Sequence, residues 1–136
     1  MIPEELLIKT IEKVYQQIKP YIKTTPLIKA NNYIDDAFNS NIYLKYECFQ
    51  KSGSFKARGA INNILSSNEK DLENGITAVS AGNHAIAASY AANIFNLKNK
   101  ISLYKSANKY RVQVCKNYNA NISFTIAEKA FEEVKD

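Results

Sequence analysis

Ile76-Thr77-Ala78-Val79-Ser80-Ala81-Gly82-Asn83-His84-Ala85 is the stretch that decides the fold of this chain. Four residues with strand character run into a Ser-Ala-Gly-Asn turn, and an alanine-rich helical stretch follows from Ala85 to Phe95. The rhythm then repeats: Ile101-Ser102-Leu103-Tyr104 reads as a strand, residues 108–117 as a helix, residues 121–126 as a strand, and a last helix begins near Glu128. Strands and helices alternating at this spacing predict right-handed βαβ units, hence a parallel sheet with helices on its faces. The turn after the first of these strands leaves helix N-terminal amides without internal partners, an arrangement that binds carboxylates and phosphates. A Ser or Asn that merely caps its own helix is the plainer alternative. The three-glycine dinucleotide fingerprint and the phosphate loop of nucleotide hydrolases are both missing from the sequence.

Upstream the pattern is less regular. Residues 3–19 form an amphipathic helix in this reading, with Pro3 at its start and Leu7, Ile11, Val14 and Ile18 on one face, and Pro20 ends it. Thr24-Thr25-Pro26-Leu27 is extended, because the residue before proline avoids the helical region. A short helix is expected over 30–38, a strand over 41–46, and a polar loop over 67–74. Asn74-Gly75 makes the turn into the strand at Ile76.

Between these halves lies Gln50-Lys51-Ser52-Gly53-Ser54-Phe55-Lys56-Ala57-Arg58-Gly59-Ala60. Ser-Gly-Ser reads as a tight turn, and Ala60, Ile61, Ile64 and Leu65 as the apolar stripe of a helix running to about Ser67. Lys56 then falls in the first turn of a helix, at the positive end of its dipole, where cations are disfavoured. Arg58 adds a second positive charge nearby, and both effects favour the neutral, nucleophilic amine. A neutral lysine attacks carbonyls to form a Schiff base, the usual route by which lysine holds an aldehyde cofactor. A solvated surface lysine is the plain alternative. The glycines side with the first reading: the chain has four, and Gly53, Gly59 and Gly82 all fall in the two segments just described.

Composition narrows the remaining classes. The 136 residues suit one globular domain with a real core, and 46% hydrophobic with 23% charged residues is the balance of a folded protein. The net charge of +5 is spread along the chain with acids interleaved, which argues against a nucleic-acid partner. No apolar run is long enough for a bilayer, Met1-Ile2-Pro3-Glu4-Glu5 lacks a signal-peptide pattern, and a cytoplasmic location is expected. Cys48 and Cys115 are far apart in apolar contexts and are expected to be buried, reduced thiols. His84 is the only histidine, so no metal site is expected, and no nucleophile elbow accompanies it.

Taken together, Leu44-Lys45-Tyr46-Glu47 leading into Gln50–Ala60 resembles the cofactor-lysine signature of threonine/serine dehydratases and serine racemases, pyridoxal-phosphate enzymes of the tryptophan-synthase-β fold type. Ser80-Ala81-Gly82-Asn83-His84-Ala85 is similar to the family's second motif, and Thr25-Pro26-Leu27 to a weaker third. The resemblance implies a three-layer α/β parallel-sheet architecture, with residues 1–70 in the large cofactor domain and 71–136 in an incomplete small domain. It implies that Lys56 carries pyridoxal 5'-phosphate, that Phe55 and Asn83 contact the cofactor, and that Ser80, Ala81, Gly82, Asn83 and His84 receive the substrate carboxylate. The implied reaction is β-elimination of water from L-threonine or L-serine, giving a 2-oxo acid and ammonia, with Lys56 removing the α-proton. Racemases of the group tend to carry a second serine where this chain has Ala81, so dehydratase is preferred to racemase. After the strand at Ile101–Tyr104 the family often has a proline that Lys105-Ser106-Ala107-Asn108-Lys109 lacks, a divergence that bears on substrate. The family's glycine-rich phosphate loop has no counterpart here, since no glycine follows Gly82. The chain is therefore expected to be the N-terminal portion of such an enzyme and inactive alone. A non-catalytic remnant that keeps the fold is the alternative of another class. An unpaired sheet edge also invites a homo-oligomer.

Overall fold

The computed structural model describes residues 4–126; the expected last helix from Glu128 lies outside the described residues. Three strands, β3 (Ile76–Val79), β4 (Asn99–Tyr104) and β5 (Ile122–Thr125), form a parallel sheet in the order β3-β4-β5. Ala78 lies opposite Ile101, and Ile101 opposite Ile122. Helix α5 (Asn83–Ile94) makes the crossover from β3 to β4, α6 (Lys109–Asn117) the crossover from β4 to β5, and the two helices pack on each other. This is the α/β parallel-sheet architecture that the alternation predicted.

α5 is the centre of the molecule. Its residues from Ala85 to Ala92 are all buried, so it is apolar around its whole circumference rather than striped. One side meets Ala78, Ile101, Leu103 and Cys115. The other meets α3 (Lys56–Ser66) through Ala57, Ile61 and Ile64, joined by Ile18 from α1 (Glu4–Ile18). The small side chains of α5 are what allow helices to approach from two directions. Tyr90 donates to the Tyr21 carbonyl at 2.7 Å, and burial pushes its phenol up from the ordinary value. Burial likewise pushes the Cys115 thiol up, consistent with an inert core cysteine.

Asparagine does here what glycine does in richer chains. Asn39 caps α2 (Asn32–Phe38) at φ 46°, Asn96 follows the end of α5 at φ 52°, and Asn119 follows α6 at φ 56°. All three stop a helix in the left-handed region. Gly75 is the position where no side chain fits: φ is +87°, and an added Cβ would stand 2.2 Å from the Lys98 carbonyl oxygen.

The N-terminal half is clothed differently. β1 (Leu27–Lys29) and β2 (Tyr43–Lys45) form an antiparallel ribbon with Ile28 opposite Leu44, and every residue in it is exposed. Several sequence expectations are corrected here. Of the α1 stripe, Ile18 is buried while Leu7 and Ile11 are 47% and 58% exposed, because nothing among the described residues covers the first turns. In α3 the buried stripe is Ala57, Ile61 and Ile64, with Leu65 turned outward. Cys48 is exposed, carried outward by a short 3-10 turn over Glu47–Phe49. The segment 67–74 contains a one-turn helix, α4 (Glu69–Leu72), nucleated by the Asn68 side chain accepting from the Asp71 amide.

Candidate active site

The turn ahead of α3 is built by two consecutive residues in the left-handed region, Ser52 at φ 56° and Gly53 at φ 72°. They reverse the chain so that α3 begins at Lys56 itself, with Phe55 as a cap that makes no side-chain capping bond. Ser54 and Ala57 are buried on either side, while Phe55 and Lys56 are exposed, and Lys56 Nζ stands 5.2 Å from the Phe55 ring centroid. Lys56 lines a cavity of about 430 Å³ whose walls include Gly59, Ala60, Thr77, Ala78 and His84. Above Gly59 an added Cβ would meet nothing within 4 Å, so that wall is open.

The second segment begins where β3 ends. Ser80 is held to the sheet by its amide, which donates to the Ser102 carbonyl at 3.1 Å. Its hydroxyl accepts from the Gly82 amide at 3.1 Å. The N-cap of α5 is Gly82, which has no side chain to cap the helix, so the amides of the first turn are not answered from that position. Asn83 and His84 are both exposed there. His84 opens onto the Lys56 cavity. Asn83 opens onto a second cavity of about 810 Å³, shared with Ser52, Gly53, Lys51 and Arg111. The structure therefore brings Lys56, Phe55 and His84 together. It sets Asn83 over the turn that precedes them, and leaves Ser80, Ala81 and Gly82 outside both cavity walls.

Comparison with known proteins gives this arrangement a setting. The sequence model of the family described as "Pyridoxal-phosphate dependent enzyme" matches residues 18–136. The chain belongs to the pyridoxal-phosphate-dependent enzymes. It is 36% identical over 125 residues to a catabolic L-threonine dehydratase of Staphylococcus aureus, covering 92% of this chain and 36% of that protein. To a phenylserine dehydratase of Ralstonia pickettii it is 35% identical over 106 residues, 78% of this chain and 32% of that one. Maize serine racemase superposes with a TM-score of 0.80 at 30% identity, over 94% of this chain and 41% of the racemase. The chain thus spans about a third of the length of these curated relatives.

The cofactor of the family is pyridoxal phosphate, and the residues present fit it on observations of their own. Ser52 Oγ and Ser54 Oγ are buried without a hydrogen-bond partner among the described residues, immediately ahead of Lys56. Buried hydroxyls ordinarily find partners, so two orphans flanking one glycine mark a place with unmet polar capacity. Ser52 lines the cavity onto which Asn83 opens, and Lys56 with the bare wall at Gly59 lines the other.

Sequence reading missed the polar frame behind this turn. Arg58 does not stand as a free charge beside Lys56: its Nε and Nη2 donate to Glu47 Oε2 and Oε1 at 2.9 and 2.8 Å. The Thr25 hydroxyl donates to Glu47 Oε1 at 2.5 Å, and Lys45 Nζ to the Thr25 carbonyl at 2.8 Å. The Arg58 hydrogen bonds hold the Glu47 carboxyl at about 2 against a usual 4.5, with burial opposing and Thr25 assisting. Buried Gln50 makes a similar tie, accepting from the Lys23 amide and donating to the Lys23 carbonyl, both at 2.8 Å. The available signal was that Glu47 and Arg58 both lie in the cofactor-lysine motif and Thr25 in the weaker third one.

Proposed function

We propose that this chain is the N-terminal portion of a pyridoxal-phosphate-dependent lyase that eliminates water from L-threonine or L-serine. The observation that carries the reading is the single cavity lined by Lys56 from one motif segment and His84 from the other. Lys56 Nζ would supply the amine that holds the cofactor aldehyde, with Phe55 and Asn83 as further cofactor-binding residues. The turn from Ser80 to His84 receives the substrate carboxylate through amides other than those of Ser80 and Gly82, which are bonded to the Ser102 carbonyl and the Ser80 hydroxyl, and the positive end of α5 favours it there. When bound, pyridoxal phosphate supplies an electron-withdrawing ring that acidifies the substrate α-carbon. Lys56 Nζ would then serve as the base that removes that α-proton. Loss of the β-hydroxyl as water, followed by hydrolysis, gives the 2-oxo acid and ammonia.

In this reading residues 1–70 belong to the large domain and 71–136 to the small one, and the protein is cytoplasmic. No helix among the described residues is long and apolar enough to cross a membrane. The likeness to maize serine racemase favours racemisation as a second reading. Ala81 weighs against it, since alanine offers no group to carry a proton on the opposite face.

The test is a titration of the chain with pyridoxal phosphate, followed by absorbance, against Lys56→Ala. A saturable visible band that the substitution abolishes is expected; a band indifferent to it would remove Lys56 from the role. With a full-length protein carrying this segment, 2-oxo acid and ammonia are expected from threonine or serine. Release of the D-amino acid instead would move the assignment to the racemase.

A further inference from the structure

Among the features the proposed chemistry does not use, the Glu47 carboxylate stands out by its connections. It joins three separate chain segments through two oxygen atoms: Thr25 from the stretch ahead of β1, Glu47 itself from the 3-10 turn that follows β2, and Arg58 from the first turn of α3. Lys45 Nζ closes the group from behind through the Thr25 carbonyl. The pair is sheltered, with side chains 18% exposed for Glu47 and 27% for Arg58, and the contact to Arg58 is bidentate. Exposed single-point ion pairs contribute little, but sheltered bidentate ones fix geometry.

We infer that Glu47 is a positioning residue for Lys56. The inference rests on the proposed role of Lys56 as the cofactor amine. α3 starts at Lys56 with no side-chain cap and no acidic residue in its first turn. Its apolar anchors, Ala57, Ile61 and Ile64, hold one side of the helix against α5 and α1. Arg58 holds another side, and two anchors on different sides of a helix fix its rotation about its own axis. That rotation sets the direction in which Lys56 leaves the backbone. Glu47 also answers the positive charge of Arg58, which stands in the first turn of α3 where a cation is disfavoured.

The test uses the full 136-residue chain with pyridoxal phosphate, borohydride reduction and peptide mapping, together with amide hydrogen exchange. Three variants serve: Glu47→Gln, Arg58→Gln and the double substitution. In Glu47→Gln the labelled fraction at Lys56 is expected to fall roughly tenfold or more, the scale of losing hydrogen bonds between charged groups. Amides 51–57 should exchange faster while those of β4 stay unchanged, a pattern that general destabilisation would not give. The double variant should be little worse than either single one, since the partners act through each other. Lys56 labelled equally in folded Glu47→Gln and in the unsubstituted chain would overturn the inference and leave the proposed function standing. An unsubstituted chain without selective Lys56 labelling would overturn both. Should Glu47→Gln fail to fold, Thr25→Val removes one contact and keeps the ion pair. Partial loss of Lys56 labelling is then expected, and no loss would refute the role.

Discussion

The two halves of this molecule are held together by different physics. Around α5 cohesion is apolar: Ala85, Ala87, Ala91, Ile101 and Leu103 are fully buried, and polar contacts there are few. Around the β1-β2 ribbon almost nothing apolar is covered. Leu27, Ile28, Tyr43 and Leu44 all remain exposed, and the chain is tied by Glu47 to Arg58 and Thr25, by Gln50 to Lys23, and by Asp35 accepting from the Ile42 amide at 2.8 Å. Burial gives the first half a stable shape without directing any particular side chain. Polar ties give the second half direction, and Lys56 sits at the junction of the two.

The contrast breaks most directly at the core. Leu103→Ala is expected to cost about 2–5 kcal/mol in urea unfolding, the range for emptying a fully buried aliphatic site. A loss below about 1 kcal/mol would mean that the sheet is not the packed half. The next effect sharpens the other side. Because the Glu47 carboxyl is held at about 2 rather than 4.5, its ionised form stabilises the folded chain by roughly 2–3 kcal/mol once solvent screening of the partly exposed pair is subtracted from the full shift. That contribution is complete above pH 4.5 and is lost as pH falls through the folded value. The stability gap between the unsubstituted chain and Glu47→Gln should thus be flat from pH 8 to pH 5 and close between about pH 4.5 and 2. A gap that instead opens on acidification would refute the ion-pair account. Gly75→Ala, which meets the Lys98 carbonyl at positive φ, is expected to cost about 1–3 kcal/mol by thermal melting. The smallest effect belongs to the ribbon: Leu44→Ala at 42% exposure should change stability by about 0.5 kcal/mol or less. A loss comparable to Leu103→Ala would show that the ribbon is covered in solution, for instance by self-association.

The same contrast explains what could be read from sequence. β3, α5, β4, α6 and β5 are legible because short β-rich runs alternate with longer helix-forming stretches, and their ends shift by only a few residues: α5 begins at Asn83 rather than Ala85, and β4 at Asn99 rather than Ile101. The start of α3 at Lys56 was legible from Ser-Gly-Ser, whose turn requires the left-handed region. The Glu47 and Gln50 ties were not, because contacts spanning 22 and 27 residues leave no periodic trace. Cys48 was misread for a related reason: apolar neighbours in sequence predict burial only where the element has a partner to bury against. α4 was missed because a single turn depends on one side-chain cap, Asn68, and not on any stripe.

The central claim is that Lys56, among all the lysines of the chain, is the one built to hold the cofactor. Incubation of the purified chain with pyridoxal phosphate, reduction with borohydride and mapping of the modified peptides test it directly. The account predicts that the adduct concentrates on Lys56. An adduct spread over surface lysines, or concentrated on another one, would contradict it.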